Sequence, residues 1–256
     1  MKIAILAMPQ VEHPDELLSW LKGYLEAIGL TDITVEQNFS IERLEDVFQQ
    51  VDAIILAGVA GNPQLVSKVA KVLGLGTEVN ADALELVKSF YMDKAELPKN
   101  LEDLAVMPEF SYVIPNERGP VPSFVAFSLE SEKFVAATPP RFEETIEAFE
   151  KGIQDFFRQS TGKKFSVTFS LDLECQITEA NEVINAVRRE VRNVFPRLDG
   201  RFYTGKGFPL TFTVYSSTPE ELSETMEKIQ NIVLQVSREK GIKIIEKQMQ
   251  ETEENL

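Results

Sequence analysis

"VDAIILAGVAGNPQLVSKVAKVLG", Val51 to Gly74, opens as an unbroken apolar run, turns on small residues and continues with apolar residues at helical spacing. An α/β protein builds a strand, a tight loop and the helix that covers the strand in this order. The run "DAIILAG" shows no polar alternation, so it belongs to a strand covered on both faces. The loop Gly58 to Ser67 has the backbone character of a phosphate cradle, yet where an enzyme would place an acid or a lysine it offers Asn62, Pro63 and Gln64. It reads two ways. Successive amides and the N-terminus of the next helix favour an anion without needing a cation. A tight connection needs the same small residues, with Asn62 as helix cap and Pro63 at the first helical position.

Toward the N-terminus, "KIAILA" (residues 2–7) is a second buried-strand run, and Asp15 to Gly29 places Leu17, Leu18, Leu21 and Leu25 at helical spacing before a terminating glycine. "DITVEQ" reads as a strand and "SIERLEDVFQQ" as a short amphipathic helix. Alternation at this spacing argues a mostly parallel sheet wrapped by helices. Toward the C-terminus, a helix spans about Asn80 to Asp93. Residues 95–123 then carry Pro98, Pro108, Pro115, Pro120 and Pro122 and read as an irregular excursion. "SFVAFSL" and "KFVAATPP" read as a hairpin, followed by a helix from Arg141 to Phe157.

The pattern restarts after the polar break "RQSTGKK". "KFSVTFSLDL" alternates Phe165, Val167, Phe169, Leu171 and Leu173 on one face, as a half-buried strand does. A helix from Thr178 to Phe195, the link "DGRFYTGKG", a strand "PLTFTVY", a helix opening on "STPEEL" and a strand "IKIIEK" complete a small α+β domain of KH-like topology. The expected organisation is therefore an α/β domain over residues 1–160, a small domain over 164–248 and a frayed tail over 249–256. A chain of 256 residues with 43% hydrophobic content is long enough for two cores.

The net charge of −15 is uneven. Residues 1–159 carry 13 Lys+Arg against 26 Asp+Glu, whereas residues 160–256 carry 13 against 15. So acidic a first half repels nucleic acid and anionic membranes, and any phosphate it binds must be held locally. The small domain also has no G-x-x-G loop after Lys163 and no basic patch for RNA. No run reaches the ~18 apolar residues of a membrane span, and "MKIAILAMPQ" reads as a strand rather than a signal peptide, so the chain is expected in the cytoplasm. The lone Cys175 excludes an internal disulfide and a cysteine metal cluster. His13 reads as a surface residue at a helix approach, and Glu143, Glu144 and Glu147 read as a solvated helix face.

Taken in order, these pieces resemble the competence/damage-inducible protein A (CinA) family, whose N-terminal domain has the molybdopterin-binding fold. "SWLKGYLEAIGL" looks like the family's first helix, "DAIILAGVAG" its strand and GG-x-G loop, and "VAKVLG" the helix behind it. "IPNERGPVPSF" looks like its N-x-x-G-x-x-P-G-F segment and "AATPPRFEETIEAF" its L-P-G-x-P-x-E-M stretch. Residues 178–222 look like its following α+β subdomain. The family's G-G-x-G-P-T-x-D-D is here Ala57-Gly58-Val59-Ala60-Gly61-Asn62-Pro63-Gln64-Leu65, and no acidic residue occurs from Ile54 to Leu73. Ser123 stands where the P-G-F glycine would be.

The resemblance implies a ligand site at Gly58, Gly61 and Asn62 facing Asn116, Arg118 and Gly119, with Asn116 reading a polar ring edge and Arg118 forking a phosphate. It also implies a homodimer. Three functions follow, in order of expectation. The first is binding of a nucleotide- or pterin-like phosphorylated small molecule without efficient hydrolysis. The next is a divergent nucleotide pyrophosphatase of ADP-ribose type, drawing Mg²⁺ ligands from Asp15, Glu16 or Glu117. The last, close behind the first, is a non-catalytic dimeric structural or regulatory protein with a closed pocket. No cofactor is evident in the residues themselves.

Overall fold

The computed structural model describes residues 1–94, 98–200 and 207–245. The expected frayed tail and most of the link between Asp199 and Gly207 lie outside the described residues. The chain divides into two compact units, one of Met1–Glu26 with Leu30–Ser160, the other of Thr161–Leu256 with Ala27–Gly29.

The first unit begins with β1 (Ile3–Ala7), α1 (Pro14–Ala27), β2 (Ile33–Glu36), α2 (Leu44–Gln50), β3 (Ala53–Ala57) and α3 (Pro63–Leu73). β4 (Thr77–Val79), α4 (Ala81–Tyr91), β5 (Val106–Pro108), β6 (Tyr112–Ile114), β7 (Ser123–Phe127) and β8 (Phe134–Thr138) follow. The unit closes with α5 (Phe142–Ala148), a π-helical turn (Phe149–Ile153) and α6 (Gln154–Arg158). Six strands form one sheet in the order β2-β1-β3-β8-β7-β6. The first four run parallel, and β7 and β6 are added antiparallel. The apolar runs of β1, β3 and β8 are buried along their whole length, as expected of strands with helices on both faces.

Local signals set the helix ends. Asn62 caps α3 by accepting hydrogen bonds from the amides of Gln64 and Leu65, Pro63 occupies the first turn, and Gly74 closes the helix at φ 75°. The proline-rich excursion is more ordered than its composition suggests. β5 pairs with β4, and β6 joins the edge of the main sheet beside β7. Pro115, Pro120 and Pro122 all fall after β6, in the segment that crosses α5 rather than in a strand.

The second unit comprises β9 (Phe165–Glu174), α7 (Ile177–Glu190), β10 (Val194–Leu198), β11 (Phe208–Ser216), α8 (Pro219–Lys240) and β12 (Lys243–Ile245). Its α+β class stands, but the KH-like order is corrected. The sheet is antiparallel throughout, with order β10-β11-β9-β12, a split β-α-β arrangement. The strand missing from the sequence reading is β10. The helix expected to run to Phe195 ends before Val191, where the chain turns extended, and Val194–Leu198 form the strand. Pro196 is tolerated because β10 is an edge strand, where a missing N–H need not interrupt the ladder. One face of this sheet packs Phe169, Leu173, Leu210 and Phe212 with Val183, Ile229 and Val233. The other carries cross-strand hydroxyl pairs, Thr168 with Thr213 at 3.0 Å and Ser170 with Thr211 at 2.8 Å.

Candidate functional site

In a mostly parallel sheet the crevice lies beyond the carboxyl ends of the strands. Here the loops after β1, β3 and β8 meet, and they bond to one another. Met8 N donates to Ala57 O at 3.1 Å, Glu12 N to Pro140 O at 2.9 Å, and the Gln10 side chain to Gly58 O at 2.6 Å. The amides of Gly58, Val59 and Ala60 all donate to a single acceptor, the carbonyl oxygen of Thr138, at 2.9, 3.0 and 3.1 Å. Three successive amides converging on one oxygen form the nest that would hold a phosphate oxygen. A main-chain oxygen of β8 fills it.

The start of α3 is closed in the same manner. The Asn62 carboxamide takes the amides of Gln64 and Leu65, and Asn62 O takes Val66 N. Gly61 is covered by Val121, whose Cγ1 would lie 2.8 Å from a Cβ built on the glycine. Val121, in the segment that also holds Asn116, Arg118 and Gly119, makes this contact.

Asn116 is engaged on every side. Its Oδ1 accepts from Arg118 N at 3.0 Å and Gly119 N at 3.1 Å, and its Nδ2 donates to Val121 O and Glu144 Oε2, both at 2.9 Å. Two donors and two lone pairs exhaust the carboxamide. Arg118 binds carboxylates, with Nη1 3.1 Å from Glu143 and Nε 2.5 Å from Glu147. Gly119 lies against the Glu144 carboxyl group, whose Cδ would be 2.5 Å from a Cβ at this position. Gly58, Gly61 and Asn62 therefore form one self-bonded loop, and Asn116, Arg118 and Gly119 form a strap bound to α5.

This geometry overturns the reading of the α5 carboxylates as a solvated face. Glu143 is exposed, but Glu144 is 3% and Glu147 8% exposed, because the strap lies across them, with Asn116 bonded to Glu144 and Arg118 to Glu147. Their charges are matched locally. Arg141 Nη1 is 3.3 Å from Glu144, and Lys151 Nζ is 3.1 Å from Glu147 and 2.5 Å from Glu117. Residue type announced none of this, since the helix gains its second covered face from a segment some 25 residues earlier.

The hydrogen bond and charge of Lys151 hold the Glu117 carboxyl below its ordinary value of 4.5. Burial pushes the Lys151 ammonium down, but its bonds to Glu117 and Glu147 outweigh this and leave it above 10.5. A lowered acid stabilises the fold above its unfolded pKa and loses that contribution as pH falls through the folded value. A raised base stabilises below its unfolded pKa and loses it as pH rises through the folded one. The melting-temperature gap between wild type and Lys151→Met should accordingly hold steady from about pH 5 to about pH 10 and narrow outside that window. A gap that widens on acidification would contradict the pairing.

Among the carboxylates considered for a metal, Asp15 and Glu16 lie in the first turn of α1, where the helix dipole favours them, and Glu117 is paired with Lys151. Among the described residues no group of three or more His, Cys, Asp or Glu is placed to hold a metal ion. His13 caps α1 through its carbonyl, and its ring lies edge-on to Phe142. Burial, followed by the charge of Glu179, pushes the Cys175 thiol up, so it is not a ready nucleophile. Thr138, Val121 and Glu144 are the residues that close the site and that sequence reasoning missed. Thr138 acts through its main chain, which no residue type signals.

No family model matches the chain, and no curated protein does. Among solved structures it is similar to the crystal structure of the protein CinA with unknown function from Thermoplasma acidophilum, at 17% identity over 61% of this chain and 99% of that one, with a TM-score of 0.48. A structure of MogA aligns at 13% identity over 62% of this chain and 96% of that one, with a TM-score of 0.32.

Proposed function

We propose that this chain works without catalysis, as a structural or regulatory protein whose crevice is closed by its own main chain. The observation that carries this reading is the convergence of the Gly58, Val59 and Ala60 amides on Thr138 O. A phosphate entering the nest would displace that oxygen and leave a buried carbonyl unpaired, a penalty of about 1–3 kcal/mol before any gain from binding. Hydrolysis of a pyrophosphate further needs its charge neutralised, ordinarily by a metal held on carboxylates, and the loop from Ile54 to Leu73 has no acid.

A second reading keeps the ligand. A nucleotide- or pterin-like phosphorylated molecule would bind without efficient hydrolysis, its anionic group on Gly58, Gly61 and Asn62 and its polar part on Asn116, Arg118 and Gly119. Arg118 favours it, since the side chain is 39% exposed and one of its two partners, Glu143, is 59% exposed and free to swing away.

A thermal-shift screen against ADP-ribose, AMP, NMN, NAD and a pterin, with and without Mg²⁺, separates the two. A ligand at 100 times its Kd adds about 2.7 kcal/mol of stability. The closed crevice predicts no shift with any of them, and a metal-independent shift would establish the second reading instead. Mg²⁺- or Co²⁺-dependent turnover of ADP-ribose near ~1 s⁻¹, the scale of a modest enzyme, would overturn both.

A further inference from the structure

The strap that crosses α5 also covers the rim of the crevice. Its residues 116–121 share one shape, because the Asn116 carboxamide takes the amides of Arg118 and Gly119 and donates to Val121 O. Pro115, Pro120 and Pro122 stiffen its ends. Among the described residues, the polar ties from this piece to the rest of the unit all end on ionisable side chains. Asn116 binds Glu144, Arg118 binds Glu143 and Glu147, and Glu117 binds Lys151. The contact at its other end, Val121 on Gly61, is apolar.

We propose that the strap is an acid-released latch: carboxylate charge holds it on α5, and protonation frees residues 116–121 together and uncovers Gly61. The Asn116 carboxamide couples the two ends, since its Nδ2 donates both to Glu144 and to Val121 O. The proposal rests on the closed crevice only at this rim, because the nest itself stays filled by Thr138 O.

Glu147 is the centre of the latch, shared by Arg118 Nε at 2.5 Å and Lys151 Nζ at 3.1 Å. Glu143 and Glu144 stand on the same helix, Glu117 on the strap and Lys151 on the π-helical turn, while Arg141 bonds Glu144 and lies 3.9 Å from Glu12 of the loop after β1. Five carboxylates thus share three cations, Arg118, Arg141 and Lys151. The first protons relieve repulsion, and the strap is freed only when the carboxylates that hold it are themselves neutral. A carboxyl held below its ordinary value, as Glu117 is, contributes above that value and loses the contribution as pH falls through the folded one, which puts release below pH 4.5.

The full chain labelled with ¹⁵N-glycine carries 13 labelled residues for NMR. On acidification from neutral pH, the Gly61 and Gly119 signals should shift with one midpoint below pH 4.5, whereas Gly29 and Gly74, with open space around them, should not. Gly61 is decisive, because the three atoms nearest to its missing side chain all belong to Val121. Glu147→Gln removes the shared charge at neutral pH and should move the Gly61 signal at least about halfway to its acid position. Trp20 fluorescence reports that the unit is still folded, and should acid unfold the wild type first, the variant at neutral pH decides alone. A Gly61 signal that stays fixed while Gly119 titrates, or that Glu147→Gln leaves at its wild-type position, would overturn the proposal. No ligand enters the measurement, so its outcome is separate from that of the thermal-shift screen.

Discussion

Gly119→Ala is expected to destabilise the first unit by about 2–4 kcal/mol, on the scale of an overpacked contact that also displaces a buried, paired carboxylate. The added methyl group would overlap the Glu144 carboxyl group, which is 3% exposed and holds Asn116 and Arg141. Glu144 cannot retreat without giving up those partners. In a Glu144→Ala background the room exists, and the same glycine substitution should be nearly silent. The coupling between the two sites should therefore exceed about 1.5 kcal/mol. Trp20, the only tryptophan, packs on Tyr24 and Phe149 in this unit, so its fluorescence during urea unfolding reads the effect locally. Equal cost in both backgrounds would mean that Gly119 is there for some other reason.

Gly58→Ala should be as damaging, by a different route. Gly58 sits at φ 89°, a left-handed conformation that costs other residues about 1–2 kcal/mol. Its Cβ would also lie 2.9 Å from Val11 Cγ2 and 3.1 Å from Met8 Cβ, in the loop bonded over it. Adding ~1–3 kcal/mol for overpacking gives a total of about 2–5 kcal/mol. Gly74→Ala supplies the comparison, because Gly74 has φ 75° but open space around its missing side chain. It should show the backbone part alone, about 1 kcal/mol. If urea titrations find the two substitutions equal, the loops after β1 and β3 are not packed as described.

The sequence revealed those elements whose physics is local. β1 and β3 are unbroken apolar runs, α3 is bounded by an Asn-Pro start and a glycine stop, and the β7–β8 hairpin follows from two apolar stretches around "ESE". β10 was hidden because "VFPRL" contains the proline that ordinarily ends a helix, and only its place at a sheet edge makes the residue compatible with a strand. β6 was hidden because three residues are too few to show alternation. At the crevice, the glycine and asparagine positions of the first loop were legible as turn chemistry. That the nest faces Thr138 O was not, because it depends on how β3 and β8 pair across a long stretch of chain. The burial of Glu144 and Glu147 escaped for a like reason. A helical wheel of α5 is blind to a strap that a distant segment lays across it.

The strap also bears on the order in which the chain can assemble. Asn116 and Glu144 are 28 residues apart and flank the β7–β8 hairpin, whereas Gln10 reaches Gly58 across 48 residues, from a different strand of the parallel sheet. Closing the shorter loop loses less chain entropy, and hairpins form ahead of parallel pairs that need a crossover. Once β7 and β8 zip together, the strap and α5 are held side by side, and the Glu144 and Glu147 charges can be neutralised before β1 and β3 arrive. Parallel strands that dock after this step meet a hairpin whose acidic flank is already covered.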